Sequence, residues 1–91
     1  MKFRATIRYF RPERESGLAV ADIPDEHVGP LGGLKQMRVR GTINGAPYAS
    51  NVMPAGQGRL ALSVSKAMLK AGGGNVGDEA DFEIERVTAG D

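Results

Sequence analysis

The sequence predicts a mainly β fold, a small double-split, Greek-key-like β-barrel of about six strands with two short helices. Three observations lead there. Apolar and polar residues alternate in several short runs, the period of a half-buried strand. Glycine and proline, 13 and 5 in 91 residues, punctuate those runs. The order strand, short helix, glycines, strand occurs twice, over residues 17–43 and 58–87. One such unit cannot bury its apolar face. Two packed about a pseudo-two-fold axis close a barrel and cover most of each other's strand edges.

In chain order, Phe3, Ala5, Ile7 and Tyr9 alternate with Lys2, Arg4, Thr6 and Arg8, which reads as the first strand. Arg11–Gly17 is polar, contains Pro12 and reads as a loop or hairpin turn. Leu18–Ile23 is the second strand. Pro24 sits at a first-turn position of a brief helix towards Leu31, with Asp25 and Glu26 near its positive end. Gly29, Pro30, Gly32 and Gly33 keep that helix short. Met37, Val39, Gly41 and Ile43 form the inner face of a third strand. Asn44-Gly45 follows, and both residues tolerate the positive φ of a type I′ hairpin turn.

The returning strand, Tyr48–Met53, is expected to close at Pro54, with Ala55–Gly58 turning the chain. Arg59–Val64 is the fifth strand. Ser65 is suited to cap a helix over Lys66–Ala71, which Gly72–Gly74 end. The last strand sets Ala80, Phe82 and Ile84 inward against Asp81, Glu83 and Glu85 outward. Thr88–Asp91 is expected to fray.

Composition narrows the function classes. A chain of 91 residues holds one domain, taken as 1–91. The absence of cysteine removes disulfides, thiolate metal sites and cysteine nucleophiles, and fits a reducing compartment. Met1–Phe10 lacks the apolar run of a signal peptide, and no stretch approaches the roughly 20 apolar residues of a membrane helix. A cytoplasmic location without membrane association is the expectation. Twelve Lys and Arg against eleven Asp and Glu give +1, well short of the basic excess of a non-specific nucleic-acid binder. The charges are unevenly placed. Lys2, Arg4, Arg8, Arg11 and Arg14 load the N-terminal segment, and Asp78, Glu79, Asp81, Glu83 and Glu85 the C-terminal one.

Residues with chemical potential find bland roles. Gly72–Gly77 satisfies GxGxxG, but a dinucleotide fingerprint needs a strand before it and a helix after it. Here the order is inverted, so the glycines read as a helix cap and turn, and no cofactor is expected. His27, the single histidine, lies near Asp22, Asp25 and Glu26. A catalytic zinc takes three protein ligands, so no metal is expected there. Ser50, Ser63 and Ser65 have no base in evidence, and no catalytic residue is assigned.

The candidate ligand or partner face is Arg4 and Arg8 on the first strand with Arg38 and Arg40 on the third. If those strands neighbour each other, four guanidinium groups share one outer face able to meet phosphates, nucleic acid or an acidic partner. Against this, Asp81, Glu83 and Glu85 can pair across strands and consume the charge.

The segment GRLALSVSKAMLKAGGGNVGDEADFEIE resembles the strand–helix–glycine–aspartate–strand unit of AbrB-type transition regulators and MazE-type antitoxins. Those proteins build a swapped, double-split barrel from two chains. The chain from Met1 to Glu85 resembles more closely a bacterial domain-of-unknown-function family, number 1905, through RGTINGAPY (40–48) and MPAGQGR (53–59). That resemblance implies a comparable barrel within one chain, and hence a monomer. The leading functional expectation is a non-enzymatic binding or interaction module for a small ligand or protein not identified by sequence. An AbrB-type DNA-binding domain is the alternative, favoured by the repeat and the arginine face and opposed by the acidic last strand. A small enzyme, resting on His27 and scattered serines, is the third.

Overall fold

The computed structural model describes residues 1–11 and 17–87. Its elements are β1 (Lys2–Tyr9), β2 (Ala19–Asp22), α1 (Asp25–Leu31), β3 (Met37–Ile43), β4 (Ala46–Gly56), β5 (Arg59–Val64), α2 (Lys66–Gly72) and β6 (Glu79–Arg86). The six strands pair antiparallel into a closed barrel in the order β1-β2-β5-β4-β3-β6. Every strand has a neighbour on each side, which removes the exposed edges that invite sheet-to-sheet association. The last strand is the seam: Phe82 stands opposite Phe3 of β1 and opposite Ile43 of β3.

Side chains fill the interior. Ile7, Val39, Ile43, Val52, Leu60, Leu62, Phe82 and Ile84 are fully buried, and the Phe3 and Phe82 rings stack with centroids 5.1 Å apart. No polar or charged residue is buried among the described ones, and no buried side-chain polar atom lacks a hydrogen bond. A barrel of this size has room for its own side chains and little else.

Local chemistry sets the turns. Asn44 and Gly45 take φ of 49° and 86°, the type I′ pattern expected of the pair. The Ser65 hydroxyl accepts from the Met68 amide at 3.2 Å and starts α2, and Gly73 closes it with a left-handed φ of 69°. Gly41 has another reason. A Cβ there would lie 1.8 Å from the Glu83 carbonyl oxygen, so only glycine lets β3 approach β6 this closely. Tyr48, the register partner of Gly41, buries its ring beside that gap and donates its hydroxyl to the same carbonyl at 2.9 Å.

Five expectations need correction. β4 does not close at Pro54 but runs from Ala46 to Gly56. Pro54 keeps its register with Leu60, whose carbonyl accepts from the Ile23 amide on its other side, and lies past Val52, where the β3 ladder ends, so no ladder N–H is asked of it; a register shift follows between Pro54 and Gly56. The turn is correspondingly shorter, Gln57-Gly58 with φ of 54° and 74°. Pro24 occupies the N-cap position of α1 and not its first turn, and α2 extends one residue beyond Ala71. β2 is confined to Ala19–Asp22. The loop expected over Arg11–Gly17 and the tail over Thr88–Asp91 lie largely or wholly outside the described residues. No helix among those described is long and apolar enough to cross a membrane.

Candidate functional site

The four arginines do not share one face. β1 and β3 are not neighbours, because β6 lies between them. Its outward residues Glu79, Asp81, Glu83 and Glu85 form an acidic row flanked by basic residues on both sides. From β1, Arg4 Nε reaches Glu79 at 2.8 Å and its Nη1 reaches Asp81 at 3.9 Å, while Lys2 Nζ lies 3.4 Å from Glu83. From β3, Arg40 Nε donates to Glu85 at 2.6 Å, and the Thr42 hydroxyl donates to Glu83 at 3.3 Å. These side chains are half exposed or more, so each pair adds at most about 1 kcal/mol to stability. Their electrostatic consequence is larger. Positive charge from both flanking strands meets its counter-charge within the sheet.

Arg8 leaves this row altogether. It forms a forked pair with Asp22 of β2, Nε to Oδ2 at 2.9 Å and Nη2 to Oδ1 at 2.8 Å. The hydrogen bond from Arg8 holds the Asp22 carboxyl below the usual carboxylate range. Partial burial opposes that shift, and the charges of Arg8 and Arg59 add to it. The same hydrogen bond raises the Arg8 guanidinium. Arg38, opposite Asn51 of β4, is exposed and makes no ion pair among the described residues. Three of the four arginines are therefore neutralised and one is not.

The forked pair has a signed pH dependence. A depressed folded pKa contributes stability that is complete above the unfolded value, near pH 4, and lost as pH falls through the folded one. Asp22→Asn should thus be less stable than the native chain at pH 7, by no more than about 1 kcal/mol because the Asp22 side chain is 38% exposed. The difference should shrink by about pH 2–3. Urea midpoints at the two pH values measure it, and a pH-independent difference would show that the carboxylate is unpaired.

The remaining candidates are engaged in holding the fold. His27 Nε2 lies 3.2 Å from the Lys2 carbonyl and its ring sits 6.3 Å from that of Phe3, tying α1 to β1. The Ser50 hydroxyl donates to the Ser63 carbonyl at 2.7 Å, and Ser65 caps α2. Burial pushes the Tyr48 hydroxyl well above its ordinary pKa, which keeps it a donor to Glu83. No group of three or more His, Cys, Asp or Glu side chains converges among the described residues.

The family model described as "Domain of unknown function (DUF1905)" matches residues 3–84. The chain belongs to that family. The match runs from Phe3 in β1 to Ile84 in β6, so it spans the closing seam of the barrel. No curated protein matches this chain at a significant level.

In this DUF1905 chain the segments that carried the resemblance serve the backbone. Within 40–48, Gly41 admits β6, Asn44-Gly45 makes the turn and Tyr48 covers the glycine. Within 53–59, Pro54 and Gly56 mark the bulge, and Gln57-Gly58 make the second hairpin turn. Open surface is left for ligands. One open depression of about 560 Å³ is lined by Lys2, Phe3, Thr42, Gly45, Asp81, Phe82 and Glu83. A smaller apolar one of about 200 Å³ lies among Tyr9, Leu18, Val64, Leu69 and Val76. Sequence reasoning missed Lys2, Glu79 and Asp22 as members of the charge network. Alternation already placed Lys2 outward, and extending the last strand back to Glu79 does the same for it, but the Asp22 pairing follows from the β1–β2 register, in which Arg8 faces Val20.

Proposed function

We propose that this domain is a non-enzymatic binding or interaction module that meets its partner, a protein or a small ligand, on the outer surface of the barrel. The observation that carries this is the filled interior: Ile7, Ile43, Leu60, Leu62 and Phe82 are fully buried in the space a barrel-bound ligand would need. The hydroxyls of Ser50 and Tyr48 and the ring of His27 are engaged with backbone carbonyls, which supports a role without chemistry. Closure within one chain supports a monomer, and the cysteine-free composition fits a cytoplasmic setting.

The acidic β6 row weighs against the DNA-binding alternative. A duplex laid across that sheet would meet Glu79, Asp81, Glu83 and Glu85 between the basic residues it needs. The test is a titration of labelled duplex DNA at low and at about 0.15 M salt, with the native protein and an Arg38→Ala/Arg40→Ala variant. At the higher salt, affinity should fall outside the roughly 10⁻⁴–10⁻⁶ M range of non-specific binders. Micromolar binding that the variant loses would overturn the proposal and put DNA binding first.

A further inference from the structure

The β6 row neutralises its neighbours, and three basic side chains without ion-pair partners among the described residues lie at the end of the barrel where α1 finishes. Arg86 ends β6 in register with the inward-facing Val39, and the Val87 amide donates to the Arg38 carbonyl at 2.9 Å, so the two arginines sit at one level of adjoining strands, Arg38 on the outer face and Arg86 on the inner side where the barrel ends. The Arg86 side chain lies over Gly32, where a Cβ would come within 3.0 Å of its Nη1. That glycine caps α1 and begins the loop to β3, in which the Lys35 amide donates to the Gly33 carbonyl at 3.0 Å.

Lys35, Arg38 and Arg86 are all exposed, and none has an ion pair among the described residues. Glu85 is held by Arg40 at 2.6 Å, and Asp25 and Glu26 stand in the first turn of α1, the opposite end of the helix from Gly32. The same loop carries Leu34, which at 50% is the most exposed large hydrophobic residue among those described.

We propose that Leu34, Lys35, Arg38 and Arg86 form a docking corner for an acidic peptide segment of a partner protein, one carrying an apolar side chain beside its carboxylates. The proposal rests on the interaction-module function and names its surface. Two carboxylates or three would satisfy the cations, with charge complementarity setting encounter and specificity. Leu34 offers apolar contact area that a phosphate backbone has no group to use. A duplex long enough to gain affinity by counterion release would extend from this corner onto the β6 acids.

The experiment titrates a fluorescent glutamate-rich peptide containing leucines into the native protein, with a lysine-for-glutamate peptide and a short DNA duplex in parallel. The acidic peptide should bind and the basic one should not. Arg38→Glu/Arg86→Glu should weaken binding at least about tenfold, through like-charge repulsion at the site. Arg38→Gln/Arg86→Gln should weaken it less while melting like the native protein, which separates lost charge from lost fold. Amide shifts on binding should concentrate in residues 32–39 and 84–87. No binding of the acidic peptide, or binding indifferent to both double variants, would overturn the corner while leaving the module function standing. Duplex DNA held as tightly through the same residues would overturn both.

Discussion

Replacing Gly41 with alanine should lower the melting temperature by about 12–24 °C, from a cost near 3 kcal/mol at the top of the overpacking range. The new Cβ would sit 1.8 Å from the Glu83 carbonyl oxygen, 2.6 Å from its carbon and 3.1 Å from the Ile84 Cα. All three are backbone atoms, so no rotamer change relieves the contact. β3 would have to move away from β6, lengthening ladder hydrogen bonds and withdrawing the Glu83 carbonyl from the Tyr48 hydroxyl. Gly45 is the internal control. It also belongs to the hairpin, but nothing lies within 4 Å of a Cβ there, and its φ of 86° is the only obstacle. Gly45→Val should therefore cost only the strain of a β-branched residue at positive φ, about 1–3 kcal/mol. Thermal melts of the two variants give the comparison. A Gly41→Ala protein melting within a few degrees of native would mean that β3 and β6 are not so close.

That contrast shows which parts of this protein can be read along the chain. β3 and β5 have the boundaries their alternation predicts, and α2 starts at its serine, because period, turn residues and caps are local. Pro54 misleads because a proline's effect on a strand depends on whether its partner demands an N–H. Here there is no such demand, because the Leu60 carbonyl opposite is taken by the Ile23 amide and the β3 ladder ends at Val52. Strand order is the least local property of all. Alternation marks Arg4, Arg38 and Arg40 as outward and the β6 acids as outward, yet carries no sign that β6 separates β1 from β3. With that order in hand, two of the four arginines, Arg4 and Arg40, become members of a neutralised row, and Arg8 pairs on β2 instead.

The same dependence explains Arg86. By alternation it follows Phe82 and Ile84 on the inner side of β6, where an arginine looks misplaced. At the strand's last position the barrel wall has ended, and the side chain passes out over Gly32. Arg38 was legible as a candidate. Its companions were not, because Lys35 and Arg86 reach it only through the α1–β3 loop and the β3–β6 register.

Phe82→Ala should be the most damaging truncation at the seam. Phe82 is 1% exposed, stacks on Phe3 with an interplanar angle of 13°, and faces Ile43 across the other ladder. One side chain thus joins the first strand, the last strand and β3. Truncating a buried phenylalanine costs about 3–5 kcal/mol, against a total near 5–10 kcal/mol for a domain of this size. At 4–8 °C per kcal/mol the melting temperature should fall by about 12–40 °C. Phe82→Leu keeps most of the apolar volume and should lose less than half as much. The location of the damage discriminates further. If β6 closes the barrel, amide hydrogen exchange in Phe82→Ala should quicken first in β1 and β6, where Phe3 loses its stacking partner, while the β4–β5 hairpin keeps its relative protection. Faster exchange centred on β4 and β5, or equal melting of the alanine and leucine variants, would place the weakest seam elsewhere and refute the closure of β1 on β6.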